Sequence, residues 1–193
     1  PFDSSTRMTP VSANGGVLTW ANGLTLIRLL LCFPVYLCIQ HQRWLLCAAY
    51  LTAAVITDVC DGKLARKLQQ ASPLGGFFDH ATDALLVSVS CFALANLGMI
   101  NPWLAALIVA AFLQYSIDSR LLSGHSLRSS TLGRINGIAY FVLVCTAAGS
   151  QLLSWVWLQD LVSIFAWLLV ASTLVSMTDR LQASIRLQRK PGA

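Results

Sequence analysis

Asp58-Val59-Cys60-Asp61-Gly62-Lys63-Leu64-Ala65-Arg66 is followed, after eight residues, by Gly75-Gly76-Phe77-Phe78-Asp79-His80-Ala81-Thr82-Asp83. Asp58 and Asp61 are three apart, so on a helix they share a face. Gly62, Ala65 and Arg66 continue that face over the next turns. Ala71-Ser72-Pro73 then breaks the pattern. Ser72 is a suitable N-cap and Pro73 a suitable first helical residue, which predicts a new helix from Pro73. On that helix Gly75, Asp79 and Asp83 stack at four-residue spacing. Two consecutive helices therefore carry four carboxylates. All eight acidic residues of the chain are Asp, and half of them fall in this stretch.

The sequence around these acids is strongly apolar. Of 193 residues, 56% are hydrophobic and 11% charged, against about 25% charged in a soluble domain. Mean hydropathy is +0.66. Six apolar stretches approach the ~20 residues that cross a bilayer as a helix: 24–40, 44–59, 78–97, 103–117, 135–153 and 158–177. The helical pattern of the second continues through Lys67. Open sheets leave backbone groups unsatisfied in lipid, and period-2 alternation is absent. The predicted fold is therefore all-α, with six transmembrane helices and no soluble second domain. Residues 1–16 form a polar N-terminal segment, 17–179 the six-helix domain and 180–193 a basic tail. Trp20, Trp44, Trp103, Trp155 and Trp157 sit at predicted helix ends, as an interfacial aromatic belt requires. Six cysteines occur singly in apolar runs without a Cys-x-x-Cys pair, which suits packing rather than redox or zinc chemistry.

The basic residues orient the helices. Arg7, then Lys63, Arg66 and Lys67, then Arg120, Arg128 and Arg134, then Arg180, Arg186, Arg189 and Lys190 fall on one side of a six-span chain, with only Arg43 opposite. The positive-inside rule places both termini and the aspartate stretch at the cytoplasm. Arg28 lies within the first span. An intramembrane arginine faces a cavity or an anionic partner, so an internal position is predicted.

Four clustered carboxylates near membrane depth repel one another and are costly to insert, at about 2.5–3.5 kcal/mol for an Asp at a helix centre. Two divalent cations would balance them, and all-oxygen ligation suits Mg²⁺, Mn²⁺ or Ca²⁺. Such a pair can clamp a diphosphate. Gly62 and Gly75 leave room for a nucleotide or diphosphate against the backbone. Arg66 offers a planar fork for a phosphate or base edge. A calcium-binding loop is excluded by the spacing.

Written as a pattern, Asp58-x-x-Asp61-Gly62-x-x-Ala65-Arg66, eight residues, Gly75-x-x-x-Asp79-x-x-x-Asp83 resembles the signature of the CDP-alcohol phosphotransferase family at every fixed position. The resemblance implies a six-helix, dimeric membrane enzyme with a polar cavity open to the cytoplasm. It joins an alcohol to a phosphatidyl or related group from a CDP-linked donor and releases CMP. It implies that Asp58, Asp61 and Asp79 hold divalent metal (Mg²⁺ or Mn²⁺, two ions) on the donor diphosphate. Asp83 is then the fourth acid, near the second metal, and the base that deprotonates the acceptor hydroxyl. Gly62, Arg66 and Ser72 match positions that contact the cytidine nucleotide.

Two further stretches resemble bacterial members. Asn22-Gly23-Leu24-Thr25-x-x-Arg28 is similar to the Asn-x-Leu-Thr-x-x-Arg run of phosphatidyltransferases, which places Asn22 and Thr25 toward the cytidine or diphosphate. Leu132-Gly133-Arg134-Ile135-Asn136 resembles runs of phosphatidylglycerophosphate and cardiolipin synthases, with Arg for Lys and Gly137 for the usual Thr. Arg134, with Arg120 and Arg128, is the expected acceptor-phosphate group. The expected donor is CDP-diacylglycerol and the expected acceptor glycerol 3-phosphate. Inositol phosphate, phosphatidylglycerol or another small alcohol are the alternatives. A bacterial inner membrane is implied, with the bilayer and a second copy as partners and no nucleic acid. A membrane prenyltransferase would need a second acidic cluster, which Asp118, Asp160 and Asp179 do not form. A non-enzymatic scaffold would be expected to have lost motif acids.

Overall fold

The computed structural model describes residues 20–67, 73–121 and 131–188. Among the described residues it is all-helical, with six helices and no strand: α1 (Trp20–Gln40), α2 (Trp44–Lys67), α3 (Pro73–Asn96), α4 (Trp103–Leu121), α5 (Thr131–Leu152) and α6 (Val156–Gln188). Helix α2 runs on through Lys67 and α3 starts at Pro73, as the Ser-Pro break predicts. Trp20, Trp44 and Trp103 open their helices, and Trp155 and Trp157 flank the start of α6. Helix α6 continues to Gln188, well past Asp179.

Among the described residues, three helices are long and apolar enough to cross a membrane: Gly75–Asn96, Thr131–Leu152 and Val156–Ala183. Thr25–Gln40, Trp44–Cys60 and Trp103–Asp118 are shorter apolar helices. Many large apolar side chains point outward, including Leu30 and Phe33 on α1, Ile138 on α5, and Ile164 and Leu168 on α6. A water-facing surface does not sustain such a patch, whereas hydrocarbon does.

Inside, α1 packs on α2 and α3, α3 also touches α4 and α5, and α6 lies against α5 and α4. Small and β-branched residues fill the centre, among them Val35, Ala54, Ala93 and Val144. Cys32, Cys38, Cys47 and Cys91 are buried free thiols. Polar side chains tie helices together: Gln40 donates to the Ala93 carbonyl at 3.1 Å, Gln114 to the Met177 carbonyl at 3.0 Å, and Ser172 to Asn136 Oδ1 at 2.7 Å. In lipid such bonds hold helices whose apolar faces gain little by leaving hydrocarbon.

At one end of the bundle α1, α3 and α5 close in the same way. The amides of Gln42, Gly98 and Ser154 return to Ile39, Ala95 and Gln151, and the following amides reach back five residues, to Cys38, Leu94 and Ser150. This is the Schellman pattern, and it requires positive φ at the pivot. The pivots have φ of 53°, 72° and 55°. Only the middle one is glycine. Helix α4 then begins with Asn101 as its cap, whose Oδ1 accepts the Leu104 amide at 3.1 Å. These short, tightly hydrogen-bonded turns make successive helices antiparallel. The aspartates therefore lie toward the opposite end, where α1 starts, α2 ends and α3 starts.

Candidate active site

Asp58 sits on α2, and Asp79 and Asp83 lie one turn apart on α3. The packing of α1 against both helices brings the three carboxylates together. One oxygen from each lies within 4.8 Å of the others. At their centre is Arg28 of α1. Its Nη1 donates to Asp79 Oδ1 at 2.7 Å and to Asp83 Oδ1 at 2.6 Å, and its Nη2 pairs with Asp58 Oδ1 at 3.0 Å. Arg28 is 1% exposed, whereas the side chains of Asp58, Asp79 and Asp83 are 49%, 33% and 45% exposed. The guanidinium thus lies behind the acids, and the acids face open space. The predicted internal position of Arg28 holds. The sequence alone does not reveal that its partners are the motif acids themselves, 30 residues away at Asp58 and more than 50 away at Asp79 and Asp83.

The donor set is chemically fit for a divalent cation. Three hard carboxylates converge from two helices, and each side chain remains partly exposed. Asp61, Gly62 and Arg66 lie on the last turns of α2, and Asn22 on the first turn of α1; their side chains are outside the described set. Ser72 lies outside the described residues. Gly75 is half-buried on the first turn of α3, and Thr25 on the second turn of α1.

Asp58 and Asp83 form one wall of a cavity of about 660 Å³. Its other walls come from α4, α5 and α6. Arg134, an expected acceptor residue, lines it; the Arg120 side chain is outside the described set, and Arg128 is outside the described residues. His80, which lies between the motif acids in sequence, packs against the Tyr115 ring with centroids 5.8 Å apart rather than on a carboxylate.

Arg180 is the cation that sequence reasoning missed, because its position after the last apolar run reads as basic tail. Helix α6 carries it back to the cavity, where its guanidinium lies 5.3 Å from the Tyr115 ring centroid. A Cβ at position 133 would overlap Nη2 of Arg180, so the absence of a side chain at Gly133 lets the guanidinium approach α5 closely. Thr173, Ser176 and Arg180 recur at three- and four-residue spacing on one face of α6, and that polar stripe was the available signal. Deeper in the cavity the Tyr140 hydroxyl meets Thr173 Oγ1, and Asn136 is buried. The cavity thus has an acidic wall on α2 and α3 and a basic, hydroxyl-bearing wall on α5 and α6.

Residues 18–178 match the model of the CDP-alcohol phosphatidyltransferase family. The chain belongs to that family. It is 35% identical over 79 residues to a CDP-diacylglycerol–glycerol-3-phosphate 3-phosphatidyltransferase of Pseudomonas fluorescens, a match covering 39% of this chain and 40% of the relative. It is 38% identical over 98 residues to a putative cardiolipin synthase of Mycobacterium tuberculosis, covering 50% and 46%. With a cardiolipin synthase (CMP-forming) of Streptomyces coelicolor it shares 27% identity over 165 residues, covering 78% and 74%. The first two matches span less than half of the relatives' length.

Proposed function

We propose that this chain is a membrane transferase that moves the phosphatidyl group of CDP-diacylglycerol onto an alcohol and releases CMP. The observation that carries this reading is the convergence of Asp58, Asp79 and Asp83, two of which, Asp58 and Asp83, line a cavity that Arg134 and Arg180 also line. Family membership supports the CDP-linked donor. In the reaction the acceptor hydroxyl oxygen bonds to the phosphorus that carries diacylglycerol. The bond from that phosphorus to the CMP phosphate breaks, and CMP leaves with the electron pair. Asp83, one turn beyond Asp79 on α3, takes the hydroxyl proton. Divalent cations, two Mg²⁺ or Mn²⁺ held by Asp58, Asp61, Asp79 and Asp83, supply charge neutralisation at the diphosphate when bound. Gly62, Arg66, Ser72 and Gly75, with Asn22 and Thr25, form the nucleotide side of the site.

Arg134 and Arg180 form the acceptor side, together with Arg120 and Arg128. Two guanidinium groups at the cavity wall suit an acceptor that carries its own phosphate, and glycerol 3-phosphate is the acceptor we assign. The Streptomyces relative's name favours one second reading, in which phosphatidylglycerol is the acceptor; its phosphate would meet the same arginines. We further propose that all six helices span the bacterial inner membrane, with both termini and the site at the cytoplasm, and that two copies pair. The charge asymmetry of the loops and the apolar outer face support the first part.

An acceptor panel tests the assignment. Purified protein receives CDP-diacylglycerol and Mg²⁺ with glycerol 3-phosphate, phosphatidylglycerol, inositol phosphate, inositol, serine or choline, and CMP and the lipid product are measured. CMP with phosphatidylglycerophosphate in the first tube is expected. CMP formed only with a non-phosphorylated acceptor would overturn the acceptor assignment.

A further inference from the structure

Arg28 is an unusual occupant for the centre of an acidic cluster. A guanidinium carries five N–H donors in a rigid fork, and here two of its nitrogens engage three carboxylates from two helices. It is buried to 1% exposure in a chain whose surroundings are apolar. Without a cation at that point, three carboxylates within 4.8 Å of one another would repel and drive α2 away from α3. The same three carboxylates form the candidate divalent-cation site. A guanidinium and a dication are both attracted to these oxygens and repel each other.

We propose that Arg28 is a positioning residue that preassembles the cation site: it gathers Asp58, Asp79 and Asp83 around one point and yields their oxygens to the incoming divalent cation. Cation and guanidinium then compete. Binding of the ion shifts Arg28 off the acids, and the differential affinity of the two arrangements sets the ion affinity. A residue that only braces the fold would stabilise every state alike. A competitor stabilises the ion-free arrangement and weakens ion binding. The inference rests on the reading above that these acids take a divalent cation.

Mn²⁺ alone is the probe. Full-length protein in detergent is stripped with chelator and titrated with Mn²⁺ in the absence of substrates, with free Mn²⁺ read by electron paramagnetic resonance. Arg28→Met keeps length and removes the charge; Arg28→Lys keeps the charge as a single point that cannot bridge three acids. Both variants are expected to bind Mn²⁺ more tightly than the parent, Arg28→Met by tenfold or more. Arg28→Met is also expected to melt lower in chelator and to gain more from Mn²⁺ than the parent does. If Arg28→Met fails to fold, Arg28→Lys decides by the same shift. Unchanged or weaker Mn²⁺ binding in the folded variants, with the parent binding normally and Asp83→Asn impaired, would overturn the competition and leave the cation site standing. Absence of Mn²⁺ binding in the parent and the variants alike would overturn both.

Discussion

Arg28 on α1 and Asp83 on α3 stand 55 residues apart and meet at 2.6 Å. The contact joins the first helix to the acid assigned here as the base. It also explains how α1, which contributes no acid to the motif, becomes part of the site. Any change at Arg28 should therefore be felt by a carboxylate that itself faces the cavity.

Asp83→Asn keeps the shape of the side chain and removes its capacity to accept a proton. CMP release is expected to fall about 10²- to 10⁴-fold, the range associated with a positioned general base. The CDP-diacylglycerol affinity of the folded variant should change far less, measured by equilibrium binding. Equal losses in both would instead confine Asp83 to its cation-holding role and remove it as the base.

Chelation should silence the reaction, and added Mg²⁺ or Mn²⁺ should restore it. The oxygen-only donor set favours hard cations over ions that seek nitrogen or sulfur. Activity that survives exhaustive chelation would contradict the role given to Asp58 and Asp79.

Arg180→Gln removes a guanidinium from the basic wall while leaving the acidic wall intact. The acceptor KM is expected to rise roughly 10- to 100-fold, matching the about 1.5–3 kcal/mol of a hydrogen bond to a charged group. Gly133→Val should act in the same direction, because its side chain would displace Nη2 of Arg180. Steady-state kinetics with varied acceptor and fixed donor separate this from a loss in kcat. A donor KM that rises instead would move Arg180 to the nucleotide side.

Gln42 and Ser154 occupy left-handed pivots with φ of 53° and 55°. A non-glycine residue is strained there by about 1–2 kcal/mol. Gln42→Gly and Ser154→Gly are each expected to stabilise the protein by about 0.5–1 kcal/mol, after the unfolded chain's added freedom is counted. Gly98→Ala, at φ of 72°, should destabilise it. Unfolding in mixed detergent micelles reads all three, and activity should stay unchanged because these turns lie at the far end from the aspartates.

The helices were legible in the sequence because lipid imposes length and composition on each segment separately. Hydropathy alone placed the start of α2 at Trp44 and of α4 at Trp103, and Ser72-Pro73 marked the start of α3. The pairing of Asp79 with Asp83 was legible because four-residue spacing puts them one turn apart on α3. What was hidden is what depends on contacts between helices. Arg28 reads as internal from its depth, but no local pattern names its partners. Arg180 lies one turn beyond the last apolar run, where a continuing helix and a solvated tail look alike in sequence; only the packing of α6 on α4 brings it to Tyr115. The pivots at Gln42 and Ser154 carry no glycine, so the usual mark of a Schellman turn was missing there.

The most direct test is CMP release by purified protein given CDP-diacylglycerol, Mg²⁺ and glycerol 3-phosphate, run beside Asp83→Asn and beside a chelated sample. The expected result is stoichiometric CMP and phosphatidylglycerophosphate from the parent, neither from the chelated sample, and about 10²- to 10⁴-fold slower release from Asp83→Asn. A folded parent that binds CDP-diacylglycerol yet releases no CMP with any alcohol of the panel would contradict the assignment of this site as a phosphatidyl-transfer centre.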